Sequence, residues 1–440
     1  MFISREKKMK EIFFIFYQVF FTFILFLFPF HFIKEKFSFL KIYNFFDLIC
    51  LNIIIQFTLY LILSFFIPNI SFLINLIGIL SLILLSVNFS KIKLMIKNNH
   101  LPLWLIIVFL ILVLCNFFYI ASYFRLQWDG VAHWFWKVQS FYQGGNLNNF
   151  QNLPYPFYPH LGTFLWANFW NLSIVDYEYF GRFYYSYIYL ASIFSILYPI
   201  KSKYLIIIIS VASYLIFDGF LLGGYQEFLI FFFITFSARL FYLLKCHNLF
   251  INNFLIFFLL TLNLLIWTKQ EGIFYAFILS LVYFICFKTK LIKNFILLFS
   301  LLLFAFLYFY LNTFFKNSGF FHEPITNHFE KLRDFNSFLD SFIYISFHLI
   351  KALISRPIII LSFLFYYFLK NLKKESYFKL DFYILFFILN FLIIYAIFFH
   401  TRYELTSMVP QVLGRLLLQT SGFYLVIFVP FFNYFQKNEK

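Results

Sequence analysis

The sequence predicts an all-α, polytopic membrane protein, and three observations predict it. Hydrophobic residues make up 63% of the 440-residue chain and charged residues only 12%, too little polar material to cover a soluble core of that length. Apolar runs recur at the length that a hydrocarbon slab about 30 Å thick demands, roughly 20 residues per helix. Many of these runs are rich in Phe and Ile, which favour strands by propensity. Lipid-exposed strands would leave backbone groups unpaired, however, and no barrel alternation is present, so helices win.

In chain order the spans fall near 12–33, 45–67, 70–89, 102–123, 178–199, 203–218, 226–244, 250–267, 272–287, 294–314, 345–369, 381–399 and 411–432, about 12–14 helices by the bilayer criterion. Residues 1–100 form an N-terminal group of membrane helices whose topology stays open. Three spans before Lys91 put Arg5, Lys7, Lys8 and Lys10 outside, against the usual charge bias, unless one segment is interfacial or re-entrant. The N-terminal apolar run lacks a small-residue cleavage site and is long enough to stay as an anchor. Residues 101–435 form the main membrane body. It carries a large loop at 124–177 and a smaller one at 316–344. Within the large loop, residues 161–173 are apolar but too short to cross comfortably and are expected to form a juxtamembrane helix.

The net charge of +16 does not point to nucleic acid, because the basic residues are scattered through short loops and form no basic face on a soluble domain. Clusters at Lys91/Lys93/Lys97, Lys201/Lys203, Lys288/Lys290/Lys293, Lys370/Lys373/Lys374/Lys379 and Lys437/Lys440 read as cytoplasmic anchors. With those inside, the span at 102–123 runs outward and the loop at 124–177 faces the exterior. The turns near 219–226, 268–271 and 400–410 fall on the same side. The 78 Phe residues are the chain's default lipid-facing residue, in step with its richness in Ile, Lys and Asn. The four cysteines are isolated and lack metal spacing.

The external loop interrupts the apolar pattern. Between Arg125 and Trp170 it concentrates an acid, two histidines, a lysine, three prolines and five tryptophans. If 129–142 is helical, Asp129, His133 and Lys137 fall at i, i+4 and i+8 on one face, with Val131, Trp134, Val138, Phe141 and Tyr142 on another. Such a helix lying in the interface presents the acid, imidazole and ammonium to water. An acid there can take a proton from a hydroxyl, and cations can hold a phosphate. An ordinary interfacial helix with snorkelling charges is the bland alternative. In YPFYPH, Pro156 and Pro159 impose an extended turn, and Tyr155 and His160 are candidate substrate contacts or simple punctuation.

Two further turns place ionisable groups at span ends, where they are costly and therefore suspect. GGYQE puts Glu227 at a helix start behind Gly223-Gly224, and TKQEG puts Lys269 and Glu271 between two helices. A structural Lys269–Glu271 or Glu227–Lys269 pair is the alternative. Asp176 and Glu178 suit a helix start, and Arg182 either pairs with one of them or reaches a phosphate.

WDGVAHWFWKVQSFY, YPFYPH, GYQEF, TKQEG and TSMVPQVLGRLLLQ follow in an order that resembles the multi-spanning GT-C glycosyltransferases, and more narrowly the bacterial relatives of the dolichyl-phosphate-mannose-protein mannosyltransferases. The resemblance covers roughly residues 100–425. It implies a helical membrane fold and inverting transfer of a hexosyl or pentosyl group from a polyprenyl-phosphate donor on the extracytoplasmic face. Carried across by position, it implies that Asp129 is the catalytic base. Lys269 and Arg415 then match phosphate-binding positions, and Glu227 and Glu271 match acceptor- or cation-binding ones. Read from the residues themselves, Arg402 is a further donor-phosphate candidate, and His133 and Lys137 bind the phosphate or orient Asp129. Relatives often show two adjacent prolines where this chain has Pro156-Phe157-Tyr158-Pro159, and an aspartate where it has Glu227.

The implied partners are the sugar donor, the bilayer and a glycan, lipid or protein acceptor. No cofactor is certain, a divalent cation is the one the resemblance leaves room for, and no ligand set for a metal can be named. The implied location is a bacterial inner membrane, with the site facing the periplasm or exterior. Two rivals remain. A polymerase or ligase of lipid-linked glycans would centre on a larger late loop, for which only 316–344 qualifies. A non-catalytic lipid-glycan transporter would show broken helices and repeat symmetry.

Overall fold

The computed structural model describes residues 5–88, 103–122, 126–156, 158–200, 202–215, 223–246, 251–287, 300, 302–303, 306–307, 335–373, 381–400 and 404–438. All regular structure among them is helical. Six helices are long and apolar enough to cross a membrane, and a bent pair near the N-terminus makes seven if counted as one span. The chain is therefore a helical integral membrane protein. Of the 12–14 membrane helices expected, the described residues show six to seven of spanning length. Several apolar segments, Ser71–Val87, Phe254–Ile266, Glu271–Cys286 and Pro357–Leu372 among them, form helices of only 10–17 residues. The expected span at 294–314 lies almost wholly outside the described residues.

The described chain divides into two compact units, Met1–Tyr198 with Lys203–Leu229, and Pro199–Ser202 with Ile230–Lys440. The first contains α1 (Arg5–Leu25), α2 (Phe30–Ile33), α3 (Phe45–Ser64), α4 (Ser71–Val87), α5 (Leu103–Ser122), α6 (Phe135–Tyr142), α7 (Leu161–Asn171), α8 (Tyr184–Leu197), α9 (Lys203–Leu215) and the head of α10 (Glu227–Cys246).

The expected span at 12–33 is broken. Ile12–Leu25 and Phe30–Lys36 meet at a 45° bend, and the backbone groups freed there need partners inside an apolar body. Two polar residues of α3 supply them. Asn52 donates to Phe26 O and accepts from Phe30 N, while Gln56 donates to Leu25 O and Phe28 O, all at 2.8–2.9 Å. The N-terminus of α3 is fixed by a capping box: Asn44 accepts from Asp47 N and Asp47 accepts from Asn44 N. Asn44 also donates to Ser195 O at the far end of α8. At the other end of α3, the turn into α4 is tied to the loop helix α7, because Ile70 N donates to Asn168 Oδ1 at 2.7 Å. The α3–α4 turn thus shares an end with the 124–177 loop.

The second unit carries the rest of α10, α11 (Ile251–Ile266), α12 (Glu271–Cys286), α13 (Phe335–Ile354), α14 (Pro357–Leu372), α15 (Phe382–His400), α16 (Leu405–Tyr424) and α17 (Phe428–Asn438). The expected single span at 345–369 is two helices. Pro357 cannot donate its backbone nitrogen, and Arg356 before it leaves the helical region at φ −123°, ψ 73°. Residues 335–344, expected in the smaller loop, are the first turns of α13; the rest of that loop lies outside the described residues. Asp381 caps α15 through Tyr383 N, accepts from Tyr366 OH and faces Lys370 at 3.7 Å. Buried Asn390 donates to Thr420 and Tyr424 across the α15–α16 contact, the polar pairing that apolar surroundings favour.

Candidate active site

The loop that breaks the apolar pattern is built around glycines. Gln127 N donates to Gly223 O at 2.9 Å. A Cβ on Gly130 would stand 2.3 Å from that same Gly223 oxygen, so only hydrogen fits there. Gly224 adopts φ +97°, a conformation open to glycine at little cost, and lies against the Trp166 ring of α7 and the Gly130 backbone. The WDG and GGYQE segments, read separately in the sequence, therefore dock on one another. Asp129 and the head of α10 are brought to one place by backbone contact.

Asp129 is half-buried and leads into a π-helical turn, Gly130–Trp134, in which Phe135 N donates to Gly130 O. Such turns insert one residue into the helical register and concentrate at functional sites. Here the insertion corrects the expected regular helix over 129–142. Past that turn the helix is regular, and Lys137 falls at i, i+3 and i+7 with Trp134 and Phe141, so it lies on their buried face while Val131 is exposed. The expectation that Lys137 faces water is overturned. Its ammonium donates to Tyr158 O at 3.0 Å and lies 5.6–5.9 Å from the ring centres of Trp134, Phe150 and Tyr158. Burial pushes its pKa well below the usual lysine value.

His160 is likewise an anchor. Its ring is 5% exposed and makes a 2.8 Å hydrogen bond to Ser64 Oγ at the end of α3. Ser64 already gives its hydroxyl proton to Leu61 O, so the imidazole Nε2–H is the donor. Burial, with Lys137 nearby, lowers His160 to about 3, and its carbonyl caps α7 by accepting from Phe164 N and Thr163 Oγ1. His160, a candidate substrate contact in the sequence, sits in the structure as a buried tie between the loop and α3. Helix α7, expected beside the bilayer, is buried from Leu161 to Phe169 and only its last two residues are part-exposed.

Beside Asp129 the side chains form a connected aromatic ladder. Trp128 stands edge-on to His133 at 5.1 Å and His133 to Tyr155 at 4.1 Å. Tyr155 then stacks on Tyr158 at 5.3 Å and Tyr158 on Trp134 at 5.6 Å. Exposure falls along it from Trp128 at 68% to Trp134 at 1%. Tyr155 holds φ +51°, sparsely populated for a residue with a side chain.

Glu227 is fully buried at the start of α10, where the helix dipole favours an acid. It is within electrostatic reach of Tyr185, as is Arg182. Gln226 beside it fills the space that a Cβ on Gly162 would need, and Tyr184 donates to Gly162 O. Arg182 resolves its two readings: Nε and Nη2 grip Glu178 at 2.8 and 2.9 Å, a part-buried bidentate pair. Asp176 is not a helix start. It accepts from Tyr142 and Trp170, which stack at 3.9 Å, and that hydrogen bond pushes the Tyr142 hydroxyl up to about 12.

The remaining candidates belong to the second unit. Lys269 pairs with Glu271 at 3.0 Å across the turn into α12. Gly272 lets that turn close, since a Cβ there would fall 1.9 Å from Leu265 O. Arg415 is half-buried on α16, and Arg402 lies outside the described residues. Among the described residues no group of three His, Cys, Asp or Glu side chains is gathered. Sequence reasoning passed over Trp128, Ser64 and the meeting of Gly130 with Gly223 and Gly224. The glycines were visible as WDG and GGY, but which backbone each approaches is a tertiary fact.

No protein-family model matches the chain, and neither a curated protein nor a solved structure matches it.

Proposed function

We propose that the chain transfers a sugar from a polyprenyl-phosphate donor to an acceptor hydroxyl on the non-cytoplasmic face of the membrane, with inversion at the anomeric carbon. The observation that carries this reading is the docking of the Asp129 turn on the Gly223-Gly224 turn, with buried Glu227 behind it. That arrangement puts a carboxylate, one acid-headed helix and an aromatic wall on the loop-bearing end of apolar helices. Asp129 takes the acceptor hydroxyl proton. The oxygen so released attacks the anomeric carbon, the bond from that carbon to the phosphate oxygen breaks, and the lipid phosphate departs with the electron pair. Glu227 orients the acceptor side of the site. Lys137 does not meet phosphate in this reading, because it is sealed under the loop. Lys269 and Arg415, the expected phosphate partners, are assigned by substitution: Lys269→Ala and Arg415→Ala each raise the donor KM if they hold phosphate and leave it unchanged if they are structural.

The test compares lipid-linked sugars in cells with and without the gene. Accumulation of an unused polyprenyl-phosphate monosaccharide on deletion supports transfer. Accumulation of a finished oligosaccharide repeat on its lipid supports polymerisation or ligation instead, and unchanged pools contradict both.

A further inference from the structure

We infer that Trp128 and Tyr155 form a platform that seats a sugar ring beside Asp129, which makes the acceptor a saccharide; this rests on the transfer reading above. The ladder running from Trp128 through His133 and Tyr155 to Tyr158 and Trp134 is anchored at its buried end and open at Trp128. A tryptophan that only marks the bilayer interface needs no such backing. Tyr155 also keeps a left-handed backbone, φ +51°, to hold its ring against His133. Strain of that kind persists where surrounding structure enforces it and clusters at ligand sites.

The chemistry on offer is specific. A pyranose presents a face of C–H bonds and a rim of hydroxyls, so it is best held by an aromatic face with a carboxylate at its edge. The ladder supplies the ring faces, and Asp129, at the start of the turn that carries His133, supplies the carboxylate. A serine hydroxyl of a peptide, or the headgroup of a simple lipid, has the hydroxyl without the C–H face and gains little from the rings. The buried end of the ladder is held by Lys137 through the Tyr158 carbonyl, so the platform stays fixed while the exposed end receives the ligand.

The experiment uses the full chain in lipid nanodiscs and saturation-transfer NMR with free disaccharides of glucose, galactose, mannose, N-acetylglucosamine and rhamnose. At least one disaccharide is expected to receive saturation. Its affinity should fall about tenfold in Trp128→Ala and in Tyr155→Ala, the loss of one ring's stacking, and recover in Trp128→Phe. Trp128 is exposed, so Trp128→Ala keeps the thermal midpoint of the parent, which is measured alongside. No saturation for any disaccharide, or saturation indifferent to Trp128→Ala, overturns the inference. Disaccharide binding that depends on Trp128 in a chain whose Asp129→Asn variant still transfers would overturn the base assignment while leaving the platform standing. Loss of transfer in Asp129→Asn without Trp128-dependent binding would do the reverse.

Discussion

Lys137 and His160 are the residues whose role changes most between chain and structure. Both are ionisable, both sit in the loop, and both are buried beneath it. Lys137→Ala deletes a packed stem and the donor to Tyr158 O, and should cost about 2–5 kcal/mol of stability, in the range of large-to-small core changes. Lys137→Met, which keeps the volume and removes the buried charge, should recover much of that. A thermal midpoint unchanged in Lys137→Ala, with only the donor KM raised, would restore the phosphate-binding role. His160 yields a pH prediction. Its pKa falls from the usual 6.5 to about 3 on folding, so between those values the unfolded chain holds a proton that the folded chain refuses. Stability from this group is present above pH 6.5 and is lost as pH falls toward 3, by on the order of 2 kcal/mol between pH 6.5 and 5. The drop in midpoint over that range should shrink in His160→Asn. An equal drop in both proteins would contradict the anchoring role.

At the scale of elements, the glycine contact between two turns governs whether the loop is placed at all. Gly130→Ala puts a methyl 2.3 Å from Gly223 O, and Gly224→Ala adds a side chain at φ +97° against Trp166. Each should loosen residues 126–134, by about 1–2 kcal/mol for the backbone strain alone at Gly224, and raise their hydrogen exchange while α3 and α8 stay protected. Uniformly unchanged exchange would mean that the two turns do not support each other. The clamp on the broken first span behaves likewise: Asn52→Leu removes the donor to Phe26 O and the acceptor of Phe30 N, a loss of about 1–3 kcal/mol, and the thermal midpoint should fall accordingly.

Over the whole molecule, the class and the longest helices were legible in the chain. Helices α3, α5, α10 and α15 begin and end within a few residues of the expected spans, because a long apolar run bounded by polar residues has one low-energy form in lipid. Pro357 signalled the break after α13, yet the apolar run continued across it and read as one span. The break after Leu25 depends on Asn52 and Gln56, more than twenty residues away. The burial of Lys137 follows from its i, i+3 and i+7 spacing with Trp134 and Phe141, a spacing the charge of the lysine masked in the chain. Asp129 was legible as a lone acid among tryptophans, and Glu227 as an acid behind two glycines. That the two segments meet was not, since nothing local records it.

The central claim is that Asp129 removes the acceptor proton in a sugar transfer at the loop-bearing end of the helices. It is tested most directly by comparing the parent chain with Asp129→Asn, purified in nanodiscs, for release of polyprenyl phosphate from labelled polyprenyl-phosphate hexoses in the presence of a cell-surface glycan extract. Acceptor-dependent release by the parent, reduced by about 10²–10⁴-fold in Asp129→Asn with the thermal midpoint unchanged, is the result predicted. Release that is equal in both proteins would contradict it.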